Sequence, residues 1–301
     1  MMEAAVPAQR RRRRSVRLLP SIVTILALCA GLSAVKFALD GRLDLTLAMV
    51  GAAAVLDTLD GRLARMLDAT TKMGAELDSL SDAISFGVAP ALVLYVTLLD
   101  ENSAGWIIAL LFAVSIVLRL ARFNTLLDDD TRPDWAREYF VGVPAPAGAL
   151  IALVPIALYV QFGDGWWVGF YEVAAWTVFA AALCVSTIPT LAMKSVSVAP
   201  QAAAGLLVLV ALAAALLVTY PIVLLLVLVA LYLAHIPFAW HSQRWVAARP
   251  ETWQHKPAER RAQRRAQRRR PAVRSGARGS TARLRLRRPG GKREQSDDVT
   301  R

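Results

Sequence analysis

Long apolar blocks constrain this chain more than any other feature of its sequence. Residues are 56% hydrophobic and the mean hydropathy is +0.43. A hydrocarbon core about 30 Å thick needs roughly 20 residues of helix to cross it. The sequence therefore predicts an all-α, polytopic membrane protein with about eight transmembrane helices. The eight blocks lie near residues 21–39, 44–65, 73–99, 104–124, 147–162, 168–190, 202–219 and 221–240.

Basic residues at the ends of these blocks predict how the chain is oriented. Lys and Arg in the short connections of a membrane protein stay on the cytoplasmic side. Eight spans put both termini on one side of the membrane. Nearly all basic residues in the connections fall on that same side. We therefore expect both termini to lie in the cytoplasm. We also expect the protein to reside in the plasma membrane of a bacterium. Arg42 is the one basic residue in the opposite connections, which lie near residues 40–43, 100–103, 163–167 and 219–221.

The C-terminal segment differs in composition from the rest of the chain. Residues 244–301 contain 19 Lys and Arg and 5 Asp and Glu, whereas the whole chain carries +12. A segment this basic, and this poor in large apolar residues, cannot bury enough surface to fold alone. We expect a disordered tail that rests on anionic lipid rather than on nucleic acid. The predicted organisation is a basic segment at 1–18, a transmembrane domain at 19–243 and the tail at 244–301.

Acidic residues inside the second and third apolar blocks are the strongest indication of function. An Asp near the bilayer centre costs on the order of 2.5–3.5 kcal/mol by insertion scales, so such residues usually face a cavity and serve a function. Asp57 and Asp60 share one face of the second predicted helix. Asp78 and Asp82 lie four residues apart and share a face of the third. Because a short turn around Leu67–Thr71 joins the two helices, we expect the four carboxylates to converge near the cytoplasmic side.

Converging carboxylates predict a metal site. Ionised carboxylates repel one another unless they take up protons or bind cations, and all-oxygen sites suit Mg²⁺ or Mn²⁺. We expect two such ions, which can clamp a pyrophosphate and favour in-line displacement at phosphorus. Gly61 and Ala64 lack bulk, so a nucleotide can lie against the helix, and Arg65 can contact phosphate. In the alternative interpretation the acids cap helices or form ion pairs with Arg62, Arg65 and Lys72.

These residues resemble the D-x2-D-G-x2-A-R-x8-G-x3-D-x3-D motif of the CDP-alcohol phosphotransferase family. The matching positions are Asp57, Asp60, Gly61, Ala64, Arg65, Gly74, Asp78 and Asp82. The resemblance implies that Asp57, Asp60 and Asp78 bind two metal ions. It implies that Asp82 joins the second metal ion and acts as the general base. It also implies a homodimer. The predicted contacts with the CDP-lipid are Gly61, Ala64, Arg65, Thr71 and Gly74.

Three further stretches resemble the branch of this family whose acceptor is serine. They are LDSLSDAISFGVAPA at Leu77–Ala91, RLARFN at Arg119–Asn124 and FVGVPAPAGA at Phe140–Ala149. This resemblance implies transfer of the phosphatidyl group of CDP-diacylglycerol to the hydroxyl of L-serine, giving phosphatidylserine and CMP. Arg119, Arg122 and Asn124 are predicted to contact the acceptor or a phosphate. For the two arginines the alternative is a positive-inside anchor.

Two other functions compete with this prediction. The nearer is a sister enzyme whose acceptor is glycerol phosphate or inositol phosphate, which would need a denser basic cluster than Arg119, Arg122, Arg132 and Arg137 supply. The farther is a cation or proton-coupled transporter, because carboxylates inside a membrane also mark ion pathways. Transporters often carry inverted repeats, and this sequence has one acidic pair of helices without a second copy.

Overall fold

The computed structural model of the chain describes residues 7–69, 71–127, 139–191, 203–250, 253 and 259. Contacts group residues 1–254 into one unit and 255–301 into a second, of which only residue 259 is described. The α-helices of the first unit are α1 (Pro7–Leu39), α2 (Leu43–Met66), α3 (Lys72–Asp82), α4 (Ala89–Leu94), α5 (Ser103–Leu127), α6 (Ala145–Ala152), α7 (Val154–Phe162), α8 (Phe170–Val185), α9 (Ala203–Thr219) and α10 (Pro221–Ala247).

Each of the eight predicted apolar blocks contains helix. Among the described residues, four helices are long and apolar enough to cross a membrane, or five if the bent α6–α7 pair is one span. The four are Leu19–Leu39, Lys72–Leu99, Ser103–Leu126 and Pro221–Ala247. The predicted helical class is confirmed, whereas the number of spans stays a prediction. The tail lies almost wholly outside the described residues, and its first residues, 244–247, belong to α10.

Two of the predicted spans depart from regular α-helix near a proline. In the third block, π-helical turns at Ala83–Val88 and Tyr95–Leu99 flank α4. Pro90 has no N–H to donate to the preceding turn, and the N–H of Ala89 bonds to the carbonyl of Ile84, five residues back. The fifth block breaks at Leu153, two residues before Pro155, and α6 and α7 meet at 43°. Apolar composition predicted neither the π-helical turns nor the break.

Small residues let the helices around the acidic segment pack closely. A Cβ atom added to Gly31 of α1 would lie 2.7 Å from Cα of Ser85, so the two backbones meet directly there. The Ser85 hydroxyl donates to the carbonyl of Ala27 at 3.4 Å. Close approach through small residues is the usual way in which membrane helices associate. This packing holds α1 against the segment that carries Asp78 and Asp82.

A short β-ribbon, which the all-α prediction missed, lies just after the C-terminal end of α8. Strands β1 (Tyr139–Val141) and β2 (Pro189–Leu191) pair antiparallel, with Tyr139 opposite Leu191. Pro189 disfavours helix at the residue before it, so α8 ends at Val185 although the predicted block extends to residue 190. The ribbon adds a connection between the segments that follow α5 and α8.

Arg122 of α5 holds the C-terminal end of α8. Its guanidinium donates to the carbonyls of Val185, Ser186 and Cys184 at 2.7, 2.9 and 3.3 Å. A helix leaves its last carbonyls without partners inside the helix, and this side chain satisfies them. Gly142, with φ of +81°, lies against two of these carbonyls, those of Cys184 and Ser186. We call Arg122, Gly142 and these three carbonyls the α5–α8 clamp.

Candidate active site

A short connection joins α2 to α3, which begins six residues after α2 ends. Asp68 adopts a positive φ of 47° just after α2, a conformation common where helices end and tolerated by Asp. The Thr71 side chain then accepts from the N–H of Gly74 at 3.0 Å and caps the start of α3. These local interactions end α2 and begin α3 at the positions where the sequence predicted a turn. The acidic residues of both helices are thereby brought to one place.

Three carboxylates form a compact group at this place. One oxygen each from Asp57, Asp60 and Asp78 lies within 4.8 Å of the other two. Asp60 is 4% exposed, and the other two are half-buried. Ligand oxygens lie about 2.1 Å from a bound Mg²⁺ ion, so carboxylates this close can share a cation. The all-oxygen donor set and its burial fit a hard divalent cation.

Asp82 reaches this group through Asp57. Its carboxyl group lies beside that of Asp57 and also interacts electrostatically with Asp78. It is not one of the three residues whose oxygens form the compact group. The predicted convergence of four carboxylates therefore appears as a group of three with a fourth at its edge. We call these four residues the acidic site.

Helix α1 supports the acidic site through Thr24, which the sequence analysis did not single out. The Thr24 hydroxyl lies 2.7 Å from Oδ2 of Asp60, to which it donates, and 3.1 Å from the carbonyl of Pro20. The Ser81 hydroxyl donates to the carbonyl of Thr24 at 3.2 Å. Thr24 is 5% exposed. A polar residue within the first apolar block was the available signal, but its partner lies 36 residues away in the sequence.

The glycines predicted to contact the CDP-lipid have different surroundings. A Cβ atom at Gly61 would meet only Nη1 of Arg65, at 3.9 Å. A Cβ atom at Gly74 would lie 3.0 Å from Oγ1 of Thr71, the residue that caps α3. Packing within the protein therefore gives a reason for glycine at 74 but none at 61. Ala64 is half-buried and Arg65 is exposed.

The three residues predicted to contact the acceptor have different partners in the structure. Arg119 is 6% exposed, interacts electrostatically with Asp57 and Asp82, and stacks on Phe123 with 5.3 Å to the ring centroid. Arg122 lies in the α5–α8 clamp. Asn124 donates from Nδ2 to the Ser79 hydroxyl at 3.0 Å. Within the described part of the chain, Arg119 is the one of the three that interacts with the acidic site.

The fold and the site together define a helical membrane protein with a partly buried carboxylate cluster suited to divalent cations. The family model for CDP-alcohol phosphatidyltransferase matches residues 17–249. This chain belongs to that family, which confirms the resemblance inferred from the motif. Its apolar helices and its family make it an integral membrane protein. The family gives no support to the transporter alternative.

Similar proteins extend the comparison over nearly the whole chain. A Mycobacterium tuberculosis protein is 51% identical over 280 residues, covering 93% of this chain and 96% of the relative. A Mycobacterium leprae protein is 48% identical over 290 residues, with the same coverage. A Helicobacter pylori protein is 34% identical over 142 residues, covering 47% of this chain and 58% of the relative. All three are named CDP-diacylglycerol–serine O-phosphatidyltransferase.

Proposed function

We propose that this protein transfers the phosphatidyl group of CDP-diacylglycerol to the hydroxyl of L-serine, giving phosphatidylserine and CMP. The observation that carries the proposal is the partly buried acidic site in a chain 51% identical to a relative named for this reaction. A protein that performs this reaction is a transferase of phospholipid biosynthesis.

The acidic site would hold the metal ions of this reaction. Asp57, Asp60, Asp78 and Asp82 would bind two divalent cations, Mg²⁺ or Mn²⁺. When bound, these ions supply neutralising charge at the pyrophosphate of the lipid substrate. The proximity of three carboxylate oxygens, within 4.8 Å of one another, supports this assignment.

Asp82 is proposed to be the general base. The serine hydroxyl oxygen forms a bond to the lipid-bearing phosphorus, and the hydroxyl proton passes to the Asp82 carboxylate. The bond from that phosphorus to the bridging oxygen breaks, and CMP leaves with the electron pair. The position of Asp82 at the edge of the compact carboxylate group supports this division of roles. A positioned base typically contributes about 10²- to 10⁴-fold to the rate.

The nucleotide part of the CDP-lipid is proposed to lie along α2 at Gly61 and Ala64. The space beside Gly61 and the small side chain of Ala64 support this position. Arg65 would contact a phosphate, and its exposed guanidinium end lies near Gly61. Thr71 and Gly74 would complete the contact where α3 begins. Their capping hydrogen bond is compatible with a role in orienting the backbone there.

The proposal also includes the arrangement of the protein in the membrane. The positions of basic residues support eight spans with the active site and both termini in the cytoplasm. We assign the catalytic domain to 19–243, between a basic segment at 1–18 and a basic tail at 244–301 that rests on lipid. The assembly would be a homodimer in the plasma membrane of a bacterium.

Charge favours serine over a phosphorylated acceptor. Serine has no net charge, whereas glycerol phosphate and inositol phosphate add nearly two negative charges that several bidentate contacts would have to hold. Among the described residues, Arg119 is the buried guanidinium that interacts with the acidic site. Arg132 and Arg137 lie outside the described residues.

Acceptor identity is tested by CMP release from purified protein. CDP-diacylglycerol and Mn²⁺ or Mg²⁺ are held constant, and L-serine, glycerol phosphate and inositol phosphate are supplied in turn. We expect the fastest release with L-serine. Faster release with either phosphorylated acceptor would overturn the serine assignment and leave the metal site and the family intact.

A further inference from the structure

Arg119 and Arg122 lie one helical turn apart on α5 and are used differently. Arg122 donates to three carbonyls at the end of α8. Arg119 is 6% exposed, and its Nε atom is buried with no hydrogen-bond partner among the described residues. A buried donor without a partner is costly, and more so when it is charged. Arg119 therefore has a donor left for a ligand, whereas the donors of Arg122 are used within the protein.

The charge of Arg119 points to an anionic ligand. It interacts electrostatically with Asp57 and Asp82, but among the described residues no carboxylate forms an ion pair with it within 4.0 Å. Two divalent cations would neutralise the four carboxylates of the acidic site. The guanidinium of Arg119 would then be a buried positive charge without a compensating carboxylate, which is unfavourable until an anion binds.

The surroundings of Arg119 place this anion close to the proposed base. Phe123 supports the guanidinium on its own helix at 5.3 Å. Asp82 interacts electrostatically with Arg119, and Cys184 of α8 and Tyr232 of α10 also lie near it. When a serine hydroxyl reaches Asp82, the carboxylate carbon is only three covalent bonds from the reacting oxygen. A carboxylate so close to the reacting oxygen must be held by a group near the same base.

We infer that Arg119, and not Arg122, binds the carboxylate of the amino-acid acceptor. This inference rests on the proposed function and makes Arg119 a specificity-determining residue for hydroxyl-bearing α-amino acids. The planar guanidinium matches a carboxylate in geometry as well as in charge, which a lysine does not. Arg122 instead has a structural role in the α5–α8 clamp.

The test compares L-serine with L-serinamide, which replaces the carboxylate with a neutral amide. CMP release is measured with each acceptor in the wild type, Arg119→Ala, Arg119→Lys and the matched control Arg122→Ala. The wild type should prefer serine in kcat/KM by on the order of 10- to 100-fold. Arg119→Ala should bring this ratio close to one, mainly by raising KM for serine while KM for CDP-diacylglycerol stays constant. Arg119→Lys should retain part of the preference.

The control separates binding from folding. Arg122→Ala should melt at a lower temperature, because three carbonyls lose their donors, but should keep the preference for serine. An Arg119→Ala ratio equal to that of the wild type would overturn the inference. So would a rise in KM for CDP-diacylglycerol instead of serine, since Arg119 would then hold the lipid phosphate.

Two further outcomes are also decisive. If the Arg119 variants release no CMP, serine binding is measured as the shift in melting temperature of protein holding Mn²⁺ and CMP, a pair that cannot react with serine. A serine-induced shift in Arg119→Ala equal to that of the wild type sinks the inference, whereas loss of the shift in Arg119→Ala, with a smaller shift retained in Arg119→Lys, supports it. Failure of the wild type to use serine at all would instead refute the proposed function.

Discussion

The acidic site and the α5–α8 clamp both place polar groups among apolar helices, but they satisfy them differently. In the clamp, Arg122 donates to three carbonyls, so the protein itself supplies each partner. In the acidic site, three like-charged carboxylates lie within 4.8 Å of one another. Thr24 gives Asp60 one hydrogen bond, which does not offset this repulsion.

The comparison separates two kinds of motif residue. Packing within the protein accounts for Gly142, where an added Cβ would lie 2.7 Å from the carbonyl oxygen of Cys184. It does not account for Gly61, where an added Cβ would touch only the end of the Arg65 side chain. A residue of the first kind should affect stability when it is changed. A residue of the second kind should affect ligand binding.

The largest expected effect is that of Asp82→Asn in the acidic site. Removing the proposed base should lower kcat by about 10²- to 10⁴-fold at saturating metal. Melting temperature and binding of CDP-diacylglycerol should change little, because Asp57, Asp60 and Asp78 remain. The matched control is Glu76→Gln, the same change on an exposed residue of α3. Near-normal turnover in Asp82→Asn would remove Asp82 from the mechanism.

The clamp is tested by Gly142→Ala, with Gly41→Ala as its control. Both glycines have a positive φ, +81° and +73°, but an added Cβ meets nothing within 4 Å at Gly41. Backbone strain alone should cost about 1–2 kcal/mol in each. Gly142→Ala should lower the melting temperature in detergent further, because its Cβ meets the backbone oxygens of Cys184 and Ser186 at the end of α8. Equal losses in the two variants would show that the clamp does not depend on this close approach.

The smallest expected effect is that of Gly61→Ala, compared with Gly51→Ala on the same helix. Neither added Cβ is obstructed by the protein, and alanine is favoured over glycine in a helix by about 1 kcal/mol. Both variants should therefore be at least as stable as the wild type. Gly61→Ala alone should raise KM for CDP-diacylglycerol, by about tenfold for one misplaced methyl group. Unchanged KM in Gly61→Ala would argue against a nucleotide lying at this face.

The same division explains what could be predicted from the sequence. Helix positions and the α2–α3 turn depend on apolar length and on neighbouring residues, so local pattern predicted them. The acidic motif could be predicted because its spacing places side chains on one face of each helix. The eight residues of this motif were also enough to identify the family.

The features that were missed depend on contacts between distant parts of the chain. Thr24 bonds to Asp60 across 36 residues, and Arg122 bonds to carbonyls more than 60 residues away. No periodic pattern in one segment carries that information. Sequence alone therefore left Arg119 and Arg122 equivalent, although the structure buries one beside the acidic site and uses the other to hold α8.

Metal binding tests most directly the claim that the acidic site performs the chemistry. Purified protein is stripped with a chelator, and bound Mn²⁺ and CMP release are measured together as Mn²⁺ is returned. We expect turnover to vanish on chelation and to return as two ions bind per chain. Asp57→Asn and Asp78→Asn should weaken both binding and turnover, with partial recovery at high Mn²⁺. Full CMP release from thoroughly chelated wild-type protein, or unaltered Mn²⁺ binding in both variants, would contradict the account.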